Sequence, residues 1–188
     1  YQVTVNVQGN ITPTGNITVS SGYVRFVSEQ PEGGSEIVRH TITDQNPYSG
    51  SNAGVATILL RPDVNVTVEN LIFQSGPSYG ISSNNKNVTL TVNNCVFDGY
   101  GNTGIGANGN ITISDTVIKN CGSNGAFITA YNDYQAFITG CTFEGNSTAI
   151  GAGTCENIHI TGCTYTGNGT AIRGSRFSMG GSFTMTDN

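Results

Sequence analysis

The sequence predicts an all-β fold, a parallel solenoid of about 22 residues and three short strands per coil. Three observations predict it. A pattern of apolar residues recurs in phase over most of the chain. Inside each recurrence apolar and polar residues alternate, as in a strand with one buried face. Asn, Asp or Gly then interrupts the alternation at a fixed place, where the chain must turn. No stretch carries a helical period, and Gly, Asn, Thr and Ser crowd out the strong helix formers.

The recurrence is plainest near the C-terminus. "ITGCTFEGNSTAIG" at 138–151 is repeated as "ITGCTYTGNGTAIR" at 160–173, ten of fourteen positions being identical at an offset of 22. Aligned on the same pattern, five lines follow one another: "NVTVENLIF" (65–73), "TLTVNNCVF" (89–97), "NITISDTVI" (110–118), "QAFITGCTF" (135–143) and "NIHITGCTY" (157–165). Their last residues, Phe73, Phe97, Ile118, Phe143 and Tyr165, lie 24, 21, 25 and 22 apart. A sixth line, "SFTMTDN", starts at Ser182. A sandwich would show hairpin turns in place of this in-phase repeat, whereas stacked coils bury the apolar edge that one coil leaves bare.

Each element has its own justification. Residues 1–55 contain strand-like alternation in "NITVSSGYVRFVSEQ" and "SEIVRHTIT" at irregular spacing, and are expected to form irregular N-terminal coils or a cap, with a long loop near 44–54. Residues 56–188 are expected to be regular coils of the same single domain, opening with "ATILL" at 56–60. In the first strand of each coil, Val66 and Val68, Ile111 and Ile113, Ile158 and Ile160 are expected to point inward. A corner follows at Asn70, Asn94, Asp115, Gly140 and Gly162. The second strand supplies Leu71, Cys95, Thr116, Cys141 and Cys163, then the Phe/Ile/Tyr column. The third strand ("YGIS", "TGIG", "GAFI", "TAIG", "TAIR") is assigned Ile81, Ile105, Phe127, Ile150 and Ile172 as its inward residues. The first residue is Tyr and the last line is incomplete, so the chain is expected to be a piece of a longer protein, its C-terminal end cut within the coils.

The repeat and these phrases resemble the right-handed parallel β-helix group, the pectate-lyase-like superfold. "ATILLRPDVNVTVENLIFQSG" and "RFSMGGSFTMTDN" look like β-helix repeats of large secreted or wall-attached bacterial proteins, and the resemblance covers 56–188. It implies a secreted or cell-surface location. The superfold hosts lyases, hydrolases, esterases, tailspikes and adhesins, so function has to be read from the site.

Composition narrows that reading. Seven basic and twelve acidic residues give a net charge of −5, which cannot neutralise many phosphates and excludes nucleic acid. No apolar run approaches the ~20 residues needed to span a bilayer, and the chain is expected to be a monomer within its longer parent. Pectin-active members of the superfold cluster acidic residues on one outer face. Here the outward position after the aromatic column reads Gln74, Asp98, Lys119, Glu144 and Thr166, which suits a charge ladder between coils. Asn70, Asn94 and Asp115 offer one carboxylate and two amides, too few charges for a calcium cage. Stacked corner Asn residues are expected to bond to one another along the ladder.

His159 is expected to face outward near Glu156, with no His-centred hydrolase motif around it. The outward Thr67, Thr91 and Thr112 and the parallel Thr139, Thr161 and Thr186 suggest an ice-binding ladder, but Phe137 and His159 interrupt it. Asn-x-Ser/Thr occurs at Asn10, Asn16, Asn65, Asn87, Asn110, Asn146 and Asn168, as chance allows in a chain so rich in Asn and Thr. Cys95, Cys141 and Cys163 share one inward slot and are expected to stack as free thiols. Cys121 and Cys155 are placed in turns, unpaired.

The candidate ligand-binding residues lie in the insertion "TAYNDYQ" (129–135): Tyr131, Asp133 and Tyr134, with Glu156 in the matching turn of the next coil. Exposed Tyr beside carboxylate or amide is how shallow surfaces hold sugars, and Tyr79 and Tyr100 are assigned to other loops. No catalytic or metal-ligating residue is assigned. The expected function is a non-catalytic extracellular β-helix module of a larger bacterial protein, contacting polysaccharide or a host or cell-surface glycan, or serving adhesion, without a cofactor. The alternatives are a fragment of a lyase or hydrolase acting on acidic polysaccharide, using calcium and Asp98, Asp115 and Glu144, and a rigid spacer.

Overall fold

One coil of this chain has an apolar edge without cover and backbone N–H and C=O groups without partners. Parallel stacking supplies both. The computed structural model describes residues 1–30, 33, 36–45, 52–76, 78–130 and 133–186, and of 175–186 the backbone.

Every described element is a strand, and every pairing is parallel. The N-terminal strands are β1 (Gln2–Val7), β2 (Ile17–Val19), β3 (Tyr23–Ser28) and β4 (His40–Thr43). Then come β5 (Ala56–Leu60), β6 (Asn65–Glu69), β7 (Leu71–Gln74), β8 (Tyr79–Asn93), β9 (Val96–Asp98), β10 (Thr103–Ser114) and β11 (Val117–Lys119). The remaining coils hold β12 (Asn124–Ala130), β13 (Ala136–Thr139), β14 (Thr142–Glu144), β15 (Thr148–Thr161), β16 (Thr164–Thr166) and β17 (Thr170–Thr186). One sheet runs β4-β7-β9-β11-β14-β16. The other is a folded sheet of eleven strands. In β8, β10, β15 and β17 the third strand of one coil continues into the first strand of the next. Register slips at that bend, between Gly106 and Asn108 and between Cys155 and Asn157.

The N-terminal strands extend the same sheets. Val24 and Phe26 pair with Val66 and Val68, Ile17 with Ile58, and Ile42 with Phe73. Of the loop expected at 44–54, residues 46–51 lie outside the described residues.

In-register stacking makes the core a set of columns. Ile42, Phe73, Phe97, Ile118 and Phe143 are fully buried in successive coils, and Tyr165 continues the column half-buried. Phe73 and Phe97 lie with ring centroids 4.6 Å apart and planes 1° from parallel. Phe143 and Tyr165 stack at 5.7 Å. Each such burial contributes roughly 1.5–3 kcal/mol.

One inward assignment is corrected. Ala126, not Phe127, lies in register with Ile105 and Ile150. Ala126 is buried, whereas Phe127 is half-exposed on the outer face. The missing volume returns one layer on: Ile128 is buried in register with Ala107 and Ala152. Large and small therefore alternate between coils, Ile–Ala–Ile in one column and Ala–Ile–Ala in the other, as close packing requires.

The corners explain the Asn, Asp and Gly residues. Asn70, Asn94, Asp115, Gly140 and Gly162 all sit at positive φ, between 49° and 63°, which most side chains avoid. Asn94 Nδ2 donates to Asn70 Oδ1 at 2.7 Å, the expected ladder bond, and Asn94 Oδ1 accepts from Arg39. A second left-handed column follows each second strand at Ser75, Gly99, Asn120, Gly145 and Gly167.

One residue past it, the chain solves the same corner in different ways. Asn146 and Asn168 stack there: Asn146 Oδ1 accepts from Cys121 N at 3.0 Å, and its Nδ2 donates to Ile118 O at 2.9 Å. Both Asn146 N and its Nδ2 donate to Asn168 Oδ1. Asn146 is thus a buried corner clamp. Two coils earlier the position holds Tyr100. This corrects its assignment to a surface loop, since Tyr100 is fully buried and bonds Thr57 Oγ1 at 2.9 Å. Thr57 Oγ1 donates to Asp44 Oδ2 at 2.8 Å, so Tyr100 must donate to Thr57. The ring fits because residue 76 is Gly: a Cβ there would lie 2.0 Å from Tyr100 Cε1.

Two outcomes follow from these corners. Asn146→Ala leaves Cys121 N without its partner and takes one donor from Ile118 O, and should lower unfolding free energy by about 1–3 kcal/mol in a urea titration. Gly76→Ala should lower stability by roughly 1–3 kcal/mol through overpacking against Tyr100, and a second change, Tyr100→Leu, should relieve much of that loss.

Candidate functional site

On the outer face of the third strands lies a cleft of about 370 Å³. Its aromatic residues are Tyr79, at the start of β8, and Phe127, in β12. Phe127 is in register with Gly106 on one side and Gly151 on the other. Glycine is needed at both. A Cβ on Gly106 would come within 2.8 Å of Tyr79 Cε1, and one on Gly151 within 2.7 Å of Phe127 Cδ2. The rings therefore rest against bare backbone. Burial raises the Tyr79 phenol above its ordinary range, while Thr103 bonds it and pulls the other way.

The polar lining comes from the bend between third and first strands. Asn84 and Asn85 are consecutive left-handed residues, at φ 46° and 59°, which turns β8 sharply and raises both side chains at the rim. Ser82 Oγ donates to Ala53 O at 2.6 Å and accepts from Asn84 N at 3.0 Å, which fixes that turn. Asn108 N donates to Ser83 Oγ at 3.1 Å. Among the described residues the side-chain amides of Asn84, Asn85 and Asn108 make no hydrogen bond, so they face the cleft with donors and acceptors unspent. Among the described residues no lining residue is charged.

The residues singled out in the sequence are dispersed. Tyr131 lies outside the described residues. Asp133 is exposed. Tyr134 is half-buried against the core and covers a smaller cavity of about 220 Å³ with Asp63, Asn65, Asn87 and Thr89. Glu156 is half-buried where β15 slips register, and it does not line that cavity. The cleft and the Tyr134 cavity flank the same turn at 84–87. None of Asp133, Tyr134 and Glu156 lines the cleft, whereas Tyr79, which the sequence assigned to a loop, opens β8 and does. Phe127 was missed because a one-residue slip in the alignment of "GAFI" placed it in the core.

None of Asp98, Asp115 and Glu144 lines the cleft. Asp98 Oδ2 lies 3.4 Å from Lys119 Nζ, and its Oδ1 accepts from Asn120 Nδ2 at 2.8 Å. Glu144 is in register with Lys119 on the next coil, and exposed Asp115 occupies the corner before that strand. Of the charge ladder expected from the sequence, the Asp98–Lys119 rung forms, while Glu144 makes no ion pair among the described residues. On the flat face, Phe137 stacks on His159 with centroids 4.9 Å apart, interrupting the Thr column.

All five cysteines are buried thiols outside any disulfide. Cys121 is in a corner as expected, but Cys155 lies inside β15, because the third strand runs on unbroken there. The shared slot also has a polar preference. Cys95, Cys141 and Cys163 each direct the S–H to the carbonyl two residues back, at 3.3–3.6 Å. Thr116 Oγ1 bonds Ser114 O in the same way at 2.8 Å. Desolvation pushes Cys95 and Cys121 up to about 12, and the neighbouring Cys163 together with burial holds Cys141 well above the ordinary range.

A family model described as a right handed beta helix region matches residues 56–188, and the chain belongs to that family. No curated protein matches the chain.

The thiols generate a prediction. Native protein should resist alkylation at all five cysteines, and denatured protein should react at five. Cys95 and Cys121 keep their protons when folded between 9.0, the unperturbed value, and about 12, whereas the unfolded chain releases them. Their stabilisation is complete below 9.0 and is lost as pH rises toward 12. Urea midpoints measured on either side of 9.0 should fall with pH, and less steeply in Cys95→Ala.

Proposed function

We propose that this β-helix is a non-catalytic extracellular module of a larger bacterial protein that contacts glycans through the cleft beside Tyr79 and Phe127. The observation that carries the reading is the cleft's chemistry: two aromatic rings against glycine backbone, with uncommitted Asn amides at the rim. Sugars present an apolar C–H face and a periphery of hydroxyls, and a surface that holds them needs flat rings together with donors and acceptors in fixed positions. The parallel strands fix both, because each ring is placed by backbone register and not by a long loop.

The state of the acids supports the non-catalytic part. Carboxylates that cleave glycosidic bonds work as a facing pair, one of them often raised in pKa. Here Asp98 is committed to Lys119 and Asn120, and Asp115 lies at a corner away from the cleft. Adhesion is the role in which such a cleft serves the parent protein.

Incubation with polygalacturonate and with xylan, with and without calcium, should release no reducing ends and no unsaturated products. Turnover that disappears in Asp115→Asn would overturn the reading. Retention of the protein in polysaccharide-loaded gels should weaken in Tyr79→Ala and in Phe127→Ala and stay unchanged in Asp98→Asn.

A further inference from the structure

The chemistry of the rim says most about the ligand. The side-chain amides of Asn84, Asn85 and Asn108 line the cleft and make no hydrogen bond among the described residues. A neutral amide donates to and accepts from hydroxyls alike, and brings no counter-charge for an ionised carboxylate or sulfate.

Charge agrees. Among the described residues the cleft lining holds no ionisable group except the Tyr79 phenol, and the chain carries a net −5. The nearest cations by position are Lys86, exposed on the turn beside Asn85, and Arg173, exposed and in register with Gly151. Neither lines the cleft. A polyanion would meet an acidic protein at a site without a counter-charge.

Register also sets the direction and length of the ligand. Gly106, Phe127 and Gly151 are one outward column on three successive coils. The two glycines that carry the aromatic rings are therefore two coil steps apart, roughly 9.6 Å at ~4.8 Å per step. An extended chain of pyranose rings laid along the axis meets them with alternate sugars.

We propose that the cleft binds a neutral glycan lying along the solenoid axis. Alternate sugar rings rest on Tyr79 and Phe127, and the intervening sugar meets the Asn rim. The shortest ligand that engages both rings is a trisaccharide. This rests on the glycan-contact reading of the same cleft and adds the class, direction and minimum length of the ligand.

The test is calorimetric titration with cello- and xylo-oligosaccharides of increasing length and with galacturonate oligosaccharides, at low and high salt. Expected are binding of a neutral series with little salt dependence and a sharp gain from di- to trisaccharide. Phe127→Ala and Tyr79→Ala should each weaken binding by about tenfold. The exposed rim variant Asn85→Ala, which leaves the core untouched, should cost several-fold, and thermal melts check that every variant is folded. Binding confined to galacturonate, weakened by salt and lost in Arg173→Gln, overturns the neutral class and leaves glycan contact standing. No gain from di- to trisaccharide overturns the axial arrangement. Failure to bind any oligosaccharide overturns both this inference and the reading beneath it.

Discussion

The structure depends on one constraint: each side chain must fit the one directly above and below it, a coil step of ~4.8 Å away. Parallel register leaves no freedom to offset neighbours, so like stacks on like or large alternates with small. Phe73 on Phe97 is the first solution. Ile105, Ala126 and Ile150 beside Ala107, Ile128 and Ala152 are the second. The same constraint acts on polar groups. An amide at a corner has another amide overhead, and Asn70 with Asn94 or Asn146 with Asn168 convert that proximity into a bond.

Corners impose the second requirement. A coil must reverse direction within one residue, and the left-handed conformation accomplishes that at little cost for Gly, Asn or Asp. Once the corner is made, the carbonyl two residues before the next inward position faces a small donor. Thr116 and three cysteines supply one there. The repeated cysteine is therefore more than filling: it is a compact side chain that adds a second donor to a carbonyl already accepting the corner N–H of the preceding coil. Where Tyr100 replaces a corner amide, the coil below gives up its side chain at Gly76, and the phenol ties Thr57 and Asp44 to a later coil.

The cleft grows from these same rules. Glycines at Gly106 and Gly151 leave the outer face bare, and aromatic residues from neighbouring coils lie down on it. Two left-handed Asn residues then lift a polar rim beside them. Because β8, β10, β12 and β15 hydrogen-bond to one another, the spacing of the rings is set by the sheet and does not depend on a ligand to organise it.

By itself the sequence determined the all-β class, the parallel coils, the inward columns on the first and second strands, and the corners. Each is a local pattern repeated every 22 residues or so, and repetition makes a weak local signal unambiguous. The Asp98–Lys119 ladder and the Asn70–Asn94 bond were legible for the same reason, since they join residues one repeat apart. The burial of Tyr100 was not legible, because it depends on a Gly one coil away that lies outside any repeated motif. Nor was the outward turn of Phe127: a slip of one residue reverses the face of a strand, and "GAFI" fits either register until its neighbours are paired. The tertiary structure alone decided where the cleft lies and which side chains line it, because it joins Tyr79, Asn84, Asn108 and Phe127 from three coils, and only stacking brings them within reach of one ligand.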